Sequence, residues 1–265
     1  MILESLRLTA KNISLITFPL ASLFLLYLIM VFAVLTAMPT GELQKIISAA
    51  NESVSNATKY VKNVEKIEKE VVSSLKKNLG RTVIVFLLFG LFGLFVYEYF
   101  SASLMVAAKY VAMTGSFSFK KALEEGMVYT LPVLVVDFLC SLGVIAFFMP
   151  FYVAYYATGY EGIVRVSPLA YLFVAPLLVM PKYVVVVRGE SALNSIAVGF
   201  RIAIRNYPSA FSAFAFCTLI VLLCSAFPPL MLFGIPFAYA LLSVCMCTIA
   251  EESSSLERIE STLEV

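Results

Sequence analysis

Two acids stand inside apolar stretches of this 265-residue chain. Glu98 falls within LFGLFGLFVYEYFSASLMVAAKY, residues 88–110, and Asp137 within LPVLVVDFLCSLGV, residues 131–144. Along the chain the charges nearest Glu98 are Arg81 and Lys109. An acid at the centre of a membrane-crossing helix costs roughly 2.5–3.5 kcal/mol, so each carboxyl has to be compensated. Protonation is the least costly route, because desolvation and a like neighbour both favour the neutral acid. At a helical rise of about 1.5 Å per residue, Glu98 lies about 16.5 Å from Lys109, and Asp137 lies as far from Gly126. One loop joins the two helices, so both acids are expected at a similar depth near the bilayer middle, with no basic residue at that level. We expect them to face each other in the bundle interior and to share a proton, with Tyr97, Tyr99, Ser101 and Ser103 as hydrogen-bond sources. Three uses are open. One is a structural hydrogen bond that fixes helix pairing. Another is a path for protons or cations. The third is a tilt of the long second span that carries one acid to the interface.

Other chemistry is sparse. The chain has no histidine, which removes Ser-His and Cys-His nucleophile pairs, His-ligated zinc and imidazole shuttles. Cys140, Cys217, Cys224, Cys245 and Cys247 all lie in apolar segments, and Cys245 and Cys247 have the wrong spacing for CxxC. They are expected as buried free thiols. There is no phosphate-binding G-x-x-x-x-G-K-S/T loop and no G-x-S-x-G elbow. We therefore expect no enzyme, no cofactor and no metal. A net charge of +2, without a basic run interleaved with aromatics, argues against a nucleic-acid partner.

The elements that must hold these residues follow from composition. The chain is 61% hydrophobic and 14% charged, with mean hydropathy +0.95. Soluble domains are about 45–50% apolar and about 25% charged. Lipid must be the solvent for much of the surface. About 20 apolar residues span the hydrocarbon as a helix, and six segments qualify: 13–37, 82–108, 128–153, 168–187, 208–228 and 230–250. The first is too long for a signal-peptide core and reads as a retained span. Phe227-Pro228-Pro229 separates the last two. Prolines within the spans, such as Pro132, Pro150 and Pro176, predict kinks. The expected fold is all-α: a polytopic membrane protein forming a single integral membrane domain over 1–265, with six transmembrane helices, short interfacial helices and a helical extracellular loop.

Lys and Arg set the orientation. With the N-terminus inside, Arg7, Lys11, Lys109, Lys120, Lys121, Lys182, Arg188, Arg201, Arg205 and Arg258 are inside, and the short outside loops hold only Arg165. We expect a multi-pass protein of the cell membrane with both termini cytoplasmic, residues 251–265 forming an acidic, solvated tail. Segment 38–81 conflicts with this, since it carries eight Lys/Arg against five acids. It is placed outside because the later loops agree and it is long. In it Leu43, Ile47, Ala50, Val54, Ala57, Val61, Val64, Val71 and Leu75 recur at steps of four and three, interrupted at Glu68. Residues 43–75 therefore read either as a helix packed on the bundle's own outer ends or as a coiled-coil contact with a second copy or a membrane partner. A break near NESVSNAT would make a helical hairpin instead.

Two inside segments read as amphipathic helices, capped by Ser118 in GSFSFKKALEEGM and by Ser191 in GESALNSIAVGFRIAIRNYP. In the second, Leu193, Ile196, Ala197, Phe200 and Ile204 fall near one side. Lys120, Lys121, Lys182, Arg188, Arg201 and Arg205 are candidate contacts to lipid phosphates. The helices either lie in the interface and set topology or build a specific anionic-ligand site. A shift of 73 residues carries Lys109-Tyr110-Val111 onto Lys182-Tyr183-Val184, Ser118 onto Ser191 and Gly126 onto Gly199, and RLTAKN at Arg7 is similar to RIAIRN at Arg201. The chain thus reads as three units, each an interfacial helix followed by a transmembrane hairpin, related by an axis along the membrane normal.

The stretch PKYVVVVRGESALNSIAVGFRIAIRNYPSAF carries Ala192-Leu193, Ser195 and Arg205-Asn206-Tyr207 after a polar turn. It resembles the recurring segment of a large group of prokaryotic six-helix integral membrane proteins. That group includes the membrane domain associated with glycerophosphodiester phosphodiesterases and several archaeal families of unknown function. The resemblance implies an architecture and no activity. The soluble phosphodiesterase domain is absent here, its histidine chemistry is impossible without histidine, and the long segment between the first two spans departs from the pattern. The expected function is a non-enzymatic membrane protein of structural, accessory or lipid-associated role. The alternative is a small transporter or channel working through Glu98 and Asp137.

Overall fold

A computed structural model describes residues 1–38 and 79–263, together with 44, 69, 72 and 73. Among these residues helices account for the regular structure and there is no strand. The helices are α1 (Ile2–Lys11), a short 3-10 turn (Ile13–Ile16), α2 (Thr17–Ala37), α3 (Leu79–Thr114), α4 (Phe119–Thr158), α5 (Gly162–Arg188), α6 (Ala192–Arg205), α7 (Tyr207–Ser225) and α8 (Pro228–Leu263). Six spans along them, in α2 with the preceding turn, α3, α4, α5, α7 and α8, are long and apolar enough to cross a membrane. The chain is an all-α, multi-pass membrane protein. The heptad series at 43–75 lies outside the described residues apart from isolated positions.

The chain divides into two compact units. The larger comprises Met1–Ser22 and Glu98–Val265. At its centre is α5, which packs on α4, α6, α7 and α8. Its core draws Met105, Val106 and Val111 from α3, Val133 and Val136 from α4, and Val184, Val185 and Val186 from α5, with Val244 and Met246 from α8. The smaller unit is Leu23–Tyr97. There Arg81 donates to Thr36 O (2.8 Å), and a Cβ at Gly93 would stand 3.3 Å from Leu26 Cδ2. The glycine thus allows close approach of two helices.

Two boundaries differ from expectation. The segment after Ser118 is not a separate helix: α4 runs from Phe119 to Thr158 without a break. No punctuating residue stands between Gly126 and Pro132, and α4 continues through Pro132 and Pro150, as α5 does through Pro168, Pro176 and Pro181. The acidic tail extends α8 as helix to Leu263. Ser118 occupies an N-cap position but its side chain makes no capping bond, whereas Ser191 accepts from Asn194 N at 3.4 Å.

The repeated helix ends use the same chemistry twice. α3 closes on Gly115 (φ 76°) and α5 on Gly189 (φ 67°), each donating its N–H four residues back, to Val111 O and Val185 O. A left-handed residue at a helix end favours glycine and satisfies an orphan carbonyl. α1 and α6 each end on an asparagine. Asn12 Nδ2 donates to Leu8 O (2.9 Å), and Asn206 Nδ2 to Ile202 O (3.1 Å). Each amide also reaches across the fold, to Gly115 O and to Ser253 Oγ respectively.

Candidate functional site

α4 and α5 form an antiparallel hairpin around the turn Gly159–Glu161. Gly159 is 22 residues after Asp137, and Lys182 is 22 residues after Tyr160, so the two lie level on neighbouring helices. Helical side chains lean toward the start of their own helix. The two helices run in opposite senses, so the side chains lean away from each other along the hairpin, and the long lysine side chain bridges the gap. Lys182 Nζ donates to Asp137 Oδ2 at 3.3 Å, with the side chains 16% and 23% exposed. This corrects the expectation that no base stands at the level of the acids. It also removes Lys182 from the lipid-contacting set, because its ammonium is paired with Asp137 and its side chain is only 16% exposed.

Glu98, on α3, completes the cluster. It is 3% exposed and lies within electrostatic range of both Asp137 and Lys182. Its Oε2 is nevertheless buried without a well-aligned partner. Ser103, expected as a donor to it, bonds Tyr99 O instead (2.8 Å). The expected meeting of two acids is therefore a meeting of three charges. The lysine was missed because Asp137 had been placed by counting from Gly126; the equal distances from the turn carried the signal.

The remaining basic candidates separate by environment. Lys120 and Lys121 pair with Glu124 and Glu125 on their own helix, both at 3.7 Å, and Lys121 also lies over the Tyr110 ring. Exposed pairs of this kind contribute little to stability. Lys109 donates to Val186 O at 2.9 Å, capping one of the last carbonyls of α5. Arg188 is half-buried in the last turn of the same helix. Arg201 and Arg205 are exposed on α6.

The buried face of α6 is made mostly of small residues. Ser195, Gly199, Ile202 and Ala203 are buried, while Leu193 and Ile204 are 72% and 65% exposed. Small residues let the backbones approach, which is what helix packing in a membrane rewards. An ideal Cβ at Gly199 would stand 2.5 Å from Pro181 Cα. Gly126, one repeat earlier, packs as closely on Ser103. The large apolar side chains are left for the surroundings, beside the arginines.

All five cysteines are free thiols, and Cys140, Cys217, Cys245 and Cys247 are buried. Among the described residues no group of three His, Cys, Asp or Glu side chains is placed to hold a metal. No protein-family model, curated protein or solved structure matches the chain.

Proposed function

We propose that the chain is a non-enzymatic protein of the cell membrane, with both termini cytoplasmic, in a structural, accessory or lipid-associated role. The observation that supports this best is α6. Its inner face is small and packed, and its outer face carries Leu193 and Ile204 with Arg201 and Arg205. That is the arrangement of an amphipathic helix seated at the headgroup level, with cations set to meet anionic lipid phosphates. Residues 43–75 would supply the contact to a second copy or a membrane partner.

The test is thermal unfolding of the detergent-solubilised protein with added phosphatidylglycerol or phosphatidylcholine. Phosphatidylglycerol is expected to raise Tm more than phosphatidylcholine does. A basic residue near an anionic surface contributes about 1 kcal/mol, so R201Q/R205Q should weaken the apparent lipid affinity roughly 30-fold. Equal stabilisation by the two lipids, or an unchanged preference in the variant, would overturn the reading.

A second reading, a small transporter or channel, is favoured by the orphaned Oε2 of Glu98 beside Asp137. Flux into liposomes that E98Q and D137N abolish would establish it. Flux unaffected by both substitutions would exclude these residues from the path.

A further inference from the structure

We propose that Glu98, Asp137 and Lys182 form an intramembrane binding site for a single proton, held between the two carboxyls and balanced by the lysine ammonium. The inference deepens the transport reading, on which it rests only for what the proton is used for.

The argument is a charge count. Two ionised carboxyls and one ammonium leave a net charge of −1. Burying an uncompensated charge is far costlier than neutralising it. Lys182 offsets one carboxylate at 3.3 Å. The remaining acid is Glu98, the most buried of the three, with an oxygen that has no aligned partner. One further positive charge closes the balance.

A proton fits better than a metal cation. Hard cations take about six or more oxygen ligands, and no metal-holding cluster occurs among the described residues. The ammonium within range of Glu98 would also repel a second cation. Among the described residues the other titratable groups within electrostatic range of the cluster are Cys140 on α4 and Tyr171 and Tyr183 on α5, with Tyr239 and Cys247 on α8 in range of the two tyrosines. Thiols and phenols of ordinary acidity are neutral near pH 7, so they leave the count unchanged. Loading forms one O–H bond on a carboxylate oxygen from a proton supplied by water, and unloading breaks it. Exposure falls from Asp137 (23%) to Lys182 (16%) to Glu98 (3%), so Glu98 is the innermost of the three.

The protein in a detergent without carbonyl groups, such as dodecyl maltoside, would be examined by infrared spectroscopy of the carboxylic-acid C=O band at about pH 7, where exposed carboxyls are ionised. Wild type is expected to show one such band. Both E98Q and D137N should lose it, because the acid that remains ionises to balance Lys182. K182M should roughly double it, since two acids then need two protons. Absence of the band from wild type overturns the proposal and needs no variant to fold. Survival of the band in either folded amide variant overturns it too, as does its removal by sodium at fixed pH. Liposome flux separates this site from the transport reading: the band without flux leaves the proton site standing and removes transport, whereas flux without the band does the reverse.

Discussion

Replacing Lys182 by Met is expected to cost about 3 kcal/mol of stability, and clearly more than replacing Asp137 by Asn. Removing one partner of a buried ion pair costs about 3–5 kcal/mol because the other charge is stranded. The side chains here keep 16% and 23% exposure, which argues for the low end. The asymmetry comes from Glu98. In D137N the ammonium still has a carboxyl within charge range, and Glu98 can release its proton to match it. In K182M both acids remain and no cation does. The folded K182M protein must hold an extra proton, so its stability falls as pH rises, because folding then takes up a proton that the unfolded chain does not bind. K182M/D137N should recover most of the loss, while E98Q/D137N, which leaves Lys182 alone, should be as unstable as K182M. Chemical unfolding of the four variants in one detergent, at two pH values, checks the ordering. Equal losses in K182M and D137N would mean that Glu98 does not couple to the pair.

The second large effect concerns a glycine. G199A is expected to destabilise by about 2 kcal/mol. Overpacking costs about 1–3 kcal/mol. The added methyl would stand 2.5 Å from Pro181 Cα and 2.8 Å from Pro181 N, backbone atoms that cannot swing aside. Alanine's helix propensity returns up to about 1 kcal/mol. G126A should behave alike, since its methyl would stand 2.7 Å from Ser103 Cα. Gly90 is the control, because nothing lies within 4 Å of a Cβ there. G90A should be neutral or slightly stabilising. Melting temperatures of the three proteins give the comparison. Because α6 carries Arg201 and Arg205, G199A should also blunt the response to phosphatidylglycerol.

Hydropathy made the six spans legible, because a run of about 20 apolar residues has few other uses. The proline-marked break at Phe227 was legible too: α7 ends at Ser225 and α8 begins at Pro228. The spacing of 73 residues between Gly126 and Gly199 was visible as an identity, but not that both residues sit where no side chain fits. Which residues of α6 pack inward was not read from the sequence. In water the apolar side turns inward, whereas beside lipid Ser195 and Gly199 do so and Leu193 turns out. Glu98 and Asp137 announced themselves by being charged in apolar surroundings. Lys182 gave no such sign, because it sits near a helix end where lysine is ordinary. Only the pairing of two antiparallel helices reveals where its side chain goes.

That pairing also constrains how this region can change over generations. Each helical residue turns the chain by about 100° and advances it by about 1.5 Å. A codon gained between Asp137 and Thr158 would swing the carboxylate off the seam, and a matching gain on the other arm would not swing it back. Extra residues between Gly159 and Glu161 would leave the lysine and aspartate in register. The turn is thus free to lengthen, while each arm behaves like one leg of a caliper set to a fixed opening.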